Sequence, residues 1–222
     1  MPDLSSLPVA VVVVLGILLL LWFAAGTQWN VGRGQRILRW LQPGLPQLAE
    51  RTTLRWLGSS AVEMQMSSPK APFREATLVL VMEPRDVPLM WAWSRLRGRR
   101  DLLILRGRLR HPPRLQIELL DTRSWTGREA LRSLDRSAWL QSEAAPAGLT
   151  LLHGSDTDPS LAAPLLEQLQ QISPYVARLS VQRTPPHFQA HLAPPDFEQV
   201  SGKKFVEAMR QVAAQLGSGS AE

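Results

Sequence analysis

Seventeen consecutive residues, Val9 to Ala25, carry no charged or strongly polar side chain. As a helix they rise about 26 Å, roughly the hydrocarbon thickness of a bilayer. Pro8 and Gly26 stand at the two ends. The run predicts one membrane span over residues 9–25, inside an N-terminal anchor of residues 1–29 in contact with the lipid bilayer. The competing reading is a cleaved signal peptide, since Ala24, Ala25 and Gly26 put small residues at cleavage positions. Against it stand the absence of Lys or Arg before the run and an apolar stretch longer than a usual signal core.

Charge sets the expected orientation. Asp3 is the only charged side chain ahead of the run, whereas Arg33, Arg36, Arg39, Arg51 and Arg55 follow it. The positive-inside rule then places the N-terminus outside a cell membrane and the remaining domain in the cytoplasm. The opposite orientation, with the domain extracytoplasmic, stays open. Trp22 and Trp29 bracket the inner end, where amphipathic rings settle among headgroups. From Asn30 to Leu41, Ile37, Leu38 and Leu41 fall on one helical face and Arg33, Arg36 and Arg39 on another. Such a segment either lies in the membrane interface or continues the span as one longer helix. Pro43, Gly44 and Pro46 end it, so residues 30–50 read as a juxtamembrane amphipathic segment and linker.

Residues 51–216 have the length and apolar content of one soluble domain, with 217–222 as a flexible tail. Strands are expected at Leu54–Met66, Thr77–Glu83, Leu102–Arg110 and Leu115–Asp121, the last two forming a hairpin across His111 to Arg114. The period then lengthens. Thr126 and Glu129 have capping-box spacing ahead of Leu131, Leu134 and Ala138, which predicts a helix to Leu140. Leu149–Leu152 reads as a short buried strand, and Asp158-Pro159 as the start of a second helix. Val176–Gln182 and Phe188–Leu192 read as a second hairpin. The third helix follows Asp196 and Gln199, with Phe205, Met209, Val212 and Leu216 on one face. The fold class expected is α+β: a transmembrane helix, then a mainly antiparallel sheet with about three helices packed on one face.

No cysteine is present, which excludes disulfides and cysteine-ligated zinc. The net charge of +6 is concentrated between Arg95 and Arg114, where eight arginines face one acid, Asp101. On a strand over Leu102–Arg110, Arg106, Arg108 and Arg110 project from one face about 7 Å apart. Aligned like charges need an anionic counterpart: nucleic-acid phosphate, lipid headgroups, an acidic protein, or cross-strand Glu118 on an otherwise solvated face. Arg97, Arg99 and Arg100 extend the same candidate site, and Trp91 and Trp93 precede it, sharing a face if extended.

Other chemistry is thin. His153, Asp156 and Asp158 put three potential metal ligands in one loop, although turn and N-cap roles account for both aspartates. His187 and His191 have helical metal spacing but fall on a strand, roughly 13 Å apart. Glu83 and Asp86 offer paired carboxylates for acid–base work, but they flank a Pro-Arg turn in which Arg85 is a ready neutralising partner. There is no nucleophile elbow, no glycine-rich phosphate loop and no nucleic-acid-binding signature, so no cofactor is implied. The sequence therefore predicts a single-pass membrane-anchored binding or scaffold module for a protein or anionic lipid. A membrane-tethered enzyme with a site near His153–Asp158 and a membrane-linked nucleic-acid binder are the alternatives.

Overall fold

The computed structural model describes residues 7–135, 137–142, 145–146 and 148–218. Its longest element is a single unbroken helix, α1 (Leu7–Leu41), about 52 Å in length. By length and composition it is capable of crossing a membrane, with a best-window mean hydropathy of 2.8. Between Val9 and Leu21 its large side chains are exposed, and Trp22 makes the first contact with the domain. From Gly26 onward it joins the domain. Gly26, Asn30, Gly34, Ile37 and Leu41 are buried at helical spacing, and the last two belong to the main core. Residues 30–41 are thus a continuation of the apolar helix and a structural element of the domain, and the chain turns only at Gln42–Gly44.

The rest is a nine-stranded antiparallel sheet with helices, an α+β fold. Its strands are β1 (Ala49–Trp56), β2 (Ala61–Pro69), β3 (Phe73–Val81), β4 (Leu102–Leu109), β5 (Ile117–Leu120), β6 (Trp139–Ser142), β7 (Thr150–Gly154), β8 (Val176–Val181) and β9 (Phe188–Leu192). Their order across the sheet is β1-β2-β3-β4-β9-β8-β5-β7-β6. The four further helices are α2 (Pro88–Leu96), α3 (Trp125–Ser133), α4 (Ala163–Leu169) and α5 (Gly202–Ser218). One face of the sheet carries the main core, closed by the C-terminal part of α1, by α4 and by α5. α3 covers a smaller patch on the other face, over Leu120 and Leu152.

Several local expectations are revised. The segment 54–66 is a hairpin rather than one strand, because Gly58 adopts φ +77° and turns the chain between β1 and β2. β4 and β5 do not pair: β9 takes the place beside β4, and β5 lies between β8 and β7. Glu118 therefore faces Arg178 of β8, with two contacts of 2.9 Å, and does not neutralise β4. Trp91 and Trp93 lie on a helix, not on an extended segment. The cap of α3 is Ser124, whose hydroxyl accepts from the Gly127 amide at 2.9 Å, and Leu140 belongs to β6 because Leu134 turns extended. Of the expected tail, 219–222 lie outside the described residues; α5 includes 217 and 218. Asp3 also lies outside them.

Candidate membrane-docking site

The domain meets α1 where the apolar run ends. The Trp22 indole nitrogen donates to the Arg85 carbonyl at 2.9 Å, and a Cβ on Gly26 would stand 2.3 Å from that same oxygen. Only glycine lets the two backbones approach this closely. One turn on, buried Asn30 donates to the Glu83 carbonyl at 3.1 Å and accepts from the Arg85 guanidinium at 3.1 Å. The Asp101 carboxylate, 5% exposed, takes Arg33 Nε at 3.0 Å, Arg85 at 3.0 Å and the Glu83 amide at 3.0 Å. Glu83 in turn accepts from the Trp91 indole at 2.8 Å and from Arg95 at 3.3 Å. This network ties α1, the loop after β3, α2 and the start of β4 together. Low local dielectric makes such a satisfied cluster rigidifying and costly to break.

α2 is the element it positions. Its packing is inverted: Ser94 is its one buried residue, while Leu89 and Leu96 are each 85% exposed, with Trp93 and Met90 also out in solvent. On a helical wheel Leu89, Met90, Ala92, Trp93 and Leu96 fall on one side. Together they give α2 an exposed apolar face. α2 lies beside the end of the apolar run, the Trp91 ring standing 6.1 Å from Trp22 at a tilt of 46°.

Basic groups adjoin that face. Arg97 lies over the Trp93 ring at 4.3 Å, Arg99 over Trp125 at 3.9 Å, and Arg100 donates to the Arg95 and Arg99 carbonyls. Among the described residues no carboxylate forms an ion pair with Arg97, Arg99 or Arg100. The β4 arginines are placed elsewhere. Arg108 pairs with Glu75 at 3.5 Å, Arg110 donates to the Phe73 and Pro69 carbonyls, and Arg106 is exposed opposite Thr77 and Gln189. β4 starts at the level of Arg33 and runs away from the apolar end of α1, so Arg106 and Arg110 lie roughly 13 and 26 Å along it. Two arginine groups therefore exist, and only the first adjoins α2. Of the other expected interface residues, Trp29 is 60% exposed beneath the Arg85 guanidinium, Arg33 is held by Asp101, and Arg36 and Arg39 are exposed.

The other candidates find partners of their own. His153 is buried on β7 with Nδ1 3.0 Å from the Gly154 carbonyl. Asp156 pairs with Arg183, which holds its carboxyl below the usual range; Asp158 is lowered chiefly by the Ser160 amide that it caps. Among the described residues no group of three His, Asp or Glu side chains is arranged to hold a metal ion. Asp86 accepts from Ser59 and does not meet Glu83 as an acid–base pair. His187 Nδ1 accepts the Leu109 amide at 3.1 Å, and desolvation lowers its pKa. Burial, with Arg178 and Arg106 nearby, pushes His191 down to about 4, so the ring is neutral at pH 7.

Sequence reasoning missed Asn30 and the joining of Glu83, Arg85 and Asp101 into one network, although it placed Arg85 as a partner beside Glu83, where the two pair at 3.6 Å. One local signal for it exists: Gly26, Asn30 and Gly34 recur every four residues, with Arg33 bordering the same side of the helix. The chain matches no protein-family model and no curated protein sequence.

Proposed function

We propose that this chain is a single-pass membrane-anchored module whose domain rests on an anionic bilayer surface through α2 and through Arg97, Arg99 and Arg100. The observation that carries this reading is the inversion of α2, which turns Leu89, Trp93 and Leu96 outward beside the end of an apolar helix. A helix with that face lies in the headgroup region, its apolar side sunk roughly 5–10 Å toward the acyl chains. Each arginine near an anionic surface adds about 1 kcal/mol, so three supply about 3 kcal/mol. Arg106 and Arg110 lie beyond the roughly 8 Å screening length and add little. The domain is read as cytoplasmic, the side favoured by Arg33, Arg36 and Arg39 and the one where anionic lipids face inward.

The test is hydrogen exchange on the full chain in nanodiscs of zwitterionic or mixed anionic lipid. The amides of residues 87–100 should be more protected in anionic discs, and high salt or the triple change Arg97→Gln, Arg99→Gln, Arg100→Gln should remove the difference. Equal exchange in both lipids overturns the anionic-surface reading.

A further inference from the structure

A cavity of about 480 Å³ opens between α2 and the start of α3, on the side of the sheet opposite the main core. Its size lies within the roughly 300–1,000 Å³ usual for small-molecule sites. Met90, Ile104, Trp125 and Ala177 contribute to its apolar lining. Met90, 52% exposed, belongs both to these walls and to the outer face of α2, so the cavity and that face meet at this residue.

The charges around the cavity are distributed unequally. Glu83 and Asp101 are buried and matched by Arg33, Arg85 and Arg95, and Asp121 accepts from Arg123. The His191 ring in its floor is neutral at pH 7. Arg99 and Arg100 are exposed at its margin, one lying on Trp125 and the other tied to backbone carbonyls, and neither is paired with an acid among the described residues. An apolar interior beneath two oriented guanidinium groups fits a molecule with an aliphatic tail and an oxyanionic head.

Resting on the docking reading, we propose that this cavity takes one acyl chain of an anionic lipid from the adjoining leaflet, with the lipid phosphate held by Arg99 and Arg100. The bilayer is the source because Met90 of α2 belongs to both the cavity wall and the docking face. Transfer of each methylene from one apolar medium to another gains little, so the arginine–phosphate contact decides which lipid enters.

The experiment uses the full chain in nanodiscs containing phosphatidic acid with a diazirine at the end of one acyl chain; irradiation is followed by peptide mapping. Adducts are expected on Ile104, Trp125 and Ala177 as well as on the outer face of α2. Ala177→Trp, which fills the cavity, should remove the inner adducts and keep the outer ones. Arg99→Gln with Arg100→Gln, at exposed positions that leave the core intact, should lower the inner-to-outer ratio at least threefold. The same diazirine chain on phosphatidylcholine should give the lower ratio from the start. Adducts on outer α2 alone overturn the cavity proposal while leaving docking in place. The absence of adducts from α2 altogether overturns both.

Discussion

Asp101→Asn is the substitution that most directly probes how α1 is joined to the domain. The carboxylate is 5% exposed and receives Arg33 Nε, an Arg85 nitrogen and the Glu83 amide, each at 3.0 Å. Asparagine keeps the shape and one acceptor oxygen but removes the charge and turns an NH2 toward cationic donors. Removing one member of a buried pair costs about 3–5 kcal/mol. Two features place this site at the lower end. Arg33 is 34% exposed and recovers water, and Arg85 retains the Asn30 oxygen at 3.1 Å. The expected loss is about 3 kcal/mol, a shift of more than a hundredfold in the opening equilibrium. Guanidinium unfolding of the full chain in nanodiscs, followed by tryptophan fluorescence, gives the global value. Hydrogen exchange over 26–41 shows whether α1 detaches first. Arg33→Met should cost only about 1 kcal/mol, because its partner keeps Arg85. If Asp101→Asn stays within about 0.5 kcal/mol of the parent, the network does not hold α1, and the packing of Ile37 and Leu41 must do so alone.

Four further outcomes follow from the same geometry. Gly26→Leu should separate α1 from the loop after β3, raising hydrogen exchange at Asn30 and abolishing any quenching of Trp22 by Trp91, since a Cβ would meet the Arg85 carbonyl at 2.3 Å. Leu89→Ser with Leu96→Ser should change unfolding stability by less than about 0.5 kcal/mol, because both side chains are 85% exposed, yet should remove membrane protection of α2. Arg106→Gln should leave both stability and the lipid response unchanged, as measured by denaturation and by exchange over 87–100. His191 is lowered to about 4, so the unfolded ring binds a proton that the folded one refuses. Its contribution is complete above the ordinary value of 6.5 and is lost as pH falls toward 4. Denaturation should show a loss of about 2 kcal/mol between roughly pH 7 and pH 5, and His191→Phe should reduce that slope, with His187 accounting for part of the remainder.

What was legible in the sequence is what depends on neighbours along the chain. Phe205, Met209, Val212 and Leu216 recur at helical spacing and all four are buried on α5. Leu103, Leu105 and Leu109 alternate and point into the core from β4. Asp158 caps the turn that begins at Pro159. The errors arise where distant segments compete. His111 to Arg114 reads as a hairpin loop, but β9 brings Phe188, Ala190 and Leu192 to the same side of β4, and β5 is left to pair elsewhere. At α2, alternating Trp91 and Trp93 suit a strand face, but Pro88 starts a helix after extended Val87. The network of Asn30, Glu83, Arg85 and Asp101 spans more than seventy residues, and each member alone looks like an ordinary surface polar group. Its helical half, a stripe of Gly26, Asn30 and Gly34 bordered by Arg33, was concealed because Arg33, Arg36 and Arg39 read together as one charged face.

The depth of α2 tests the central claim most directly. Because the chain has no native cysteine, single nitroxide labels can be placed at Leu89, Leu96 and, as a reference, Arg106 of the full chain in anionic nanodiscs. The account predicts that labels on Leu89 and Leu96 meet oxygen from the lipid and are shielded from a water-soluble nickel complex, while the Arg106 label shows the reverse. If all three labels are equally open to the nickel complex, α2 does not touch the bilayer, and the domain stands clear of the membrane on α1 alone.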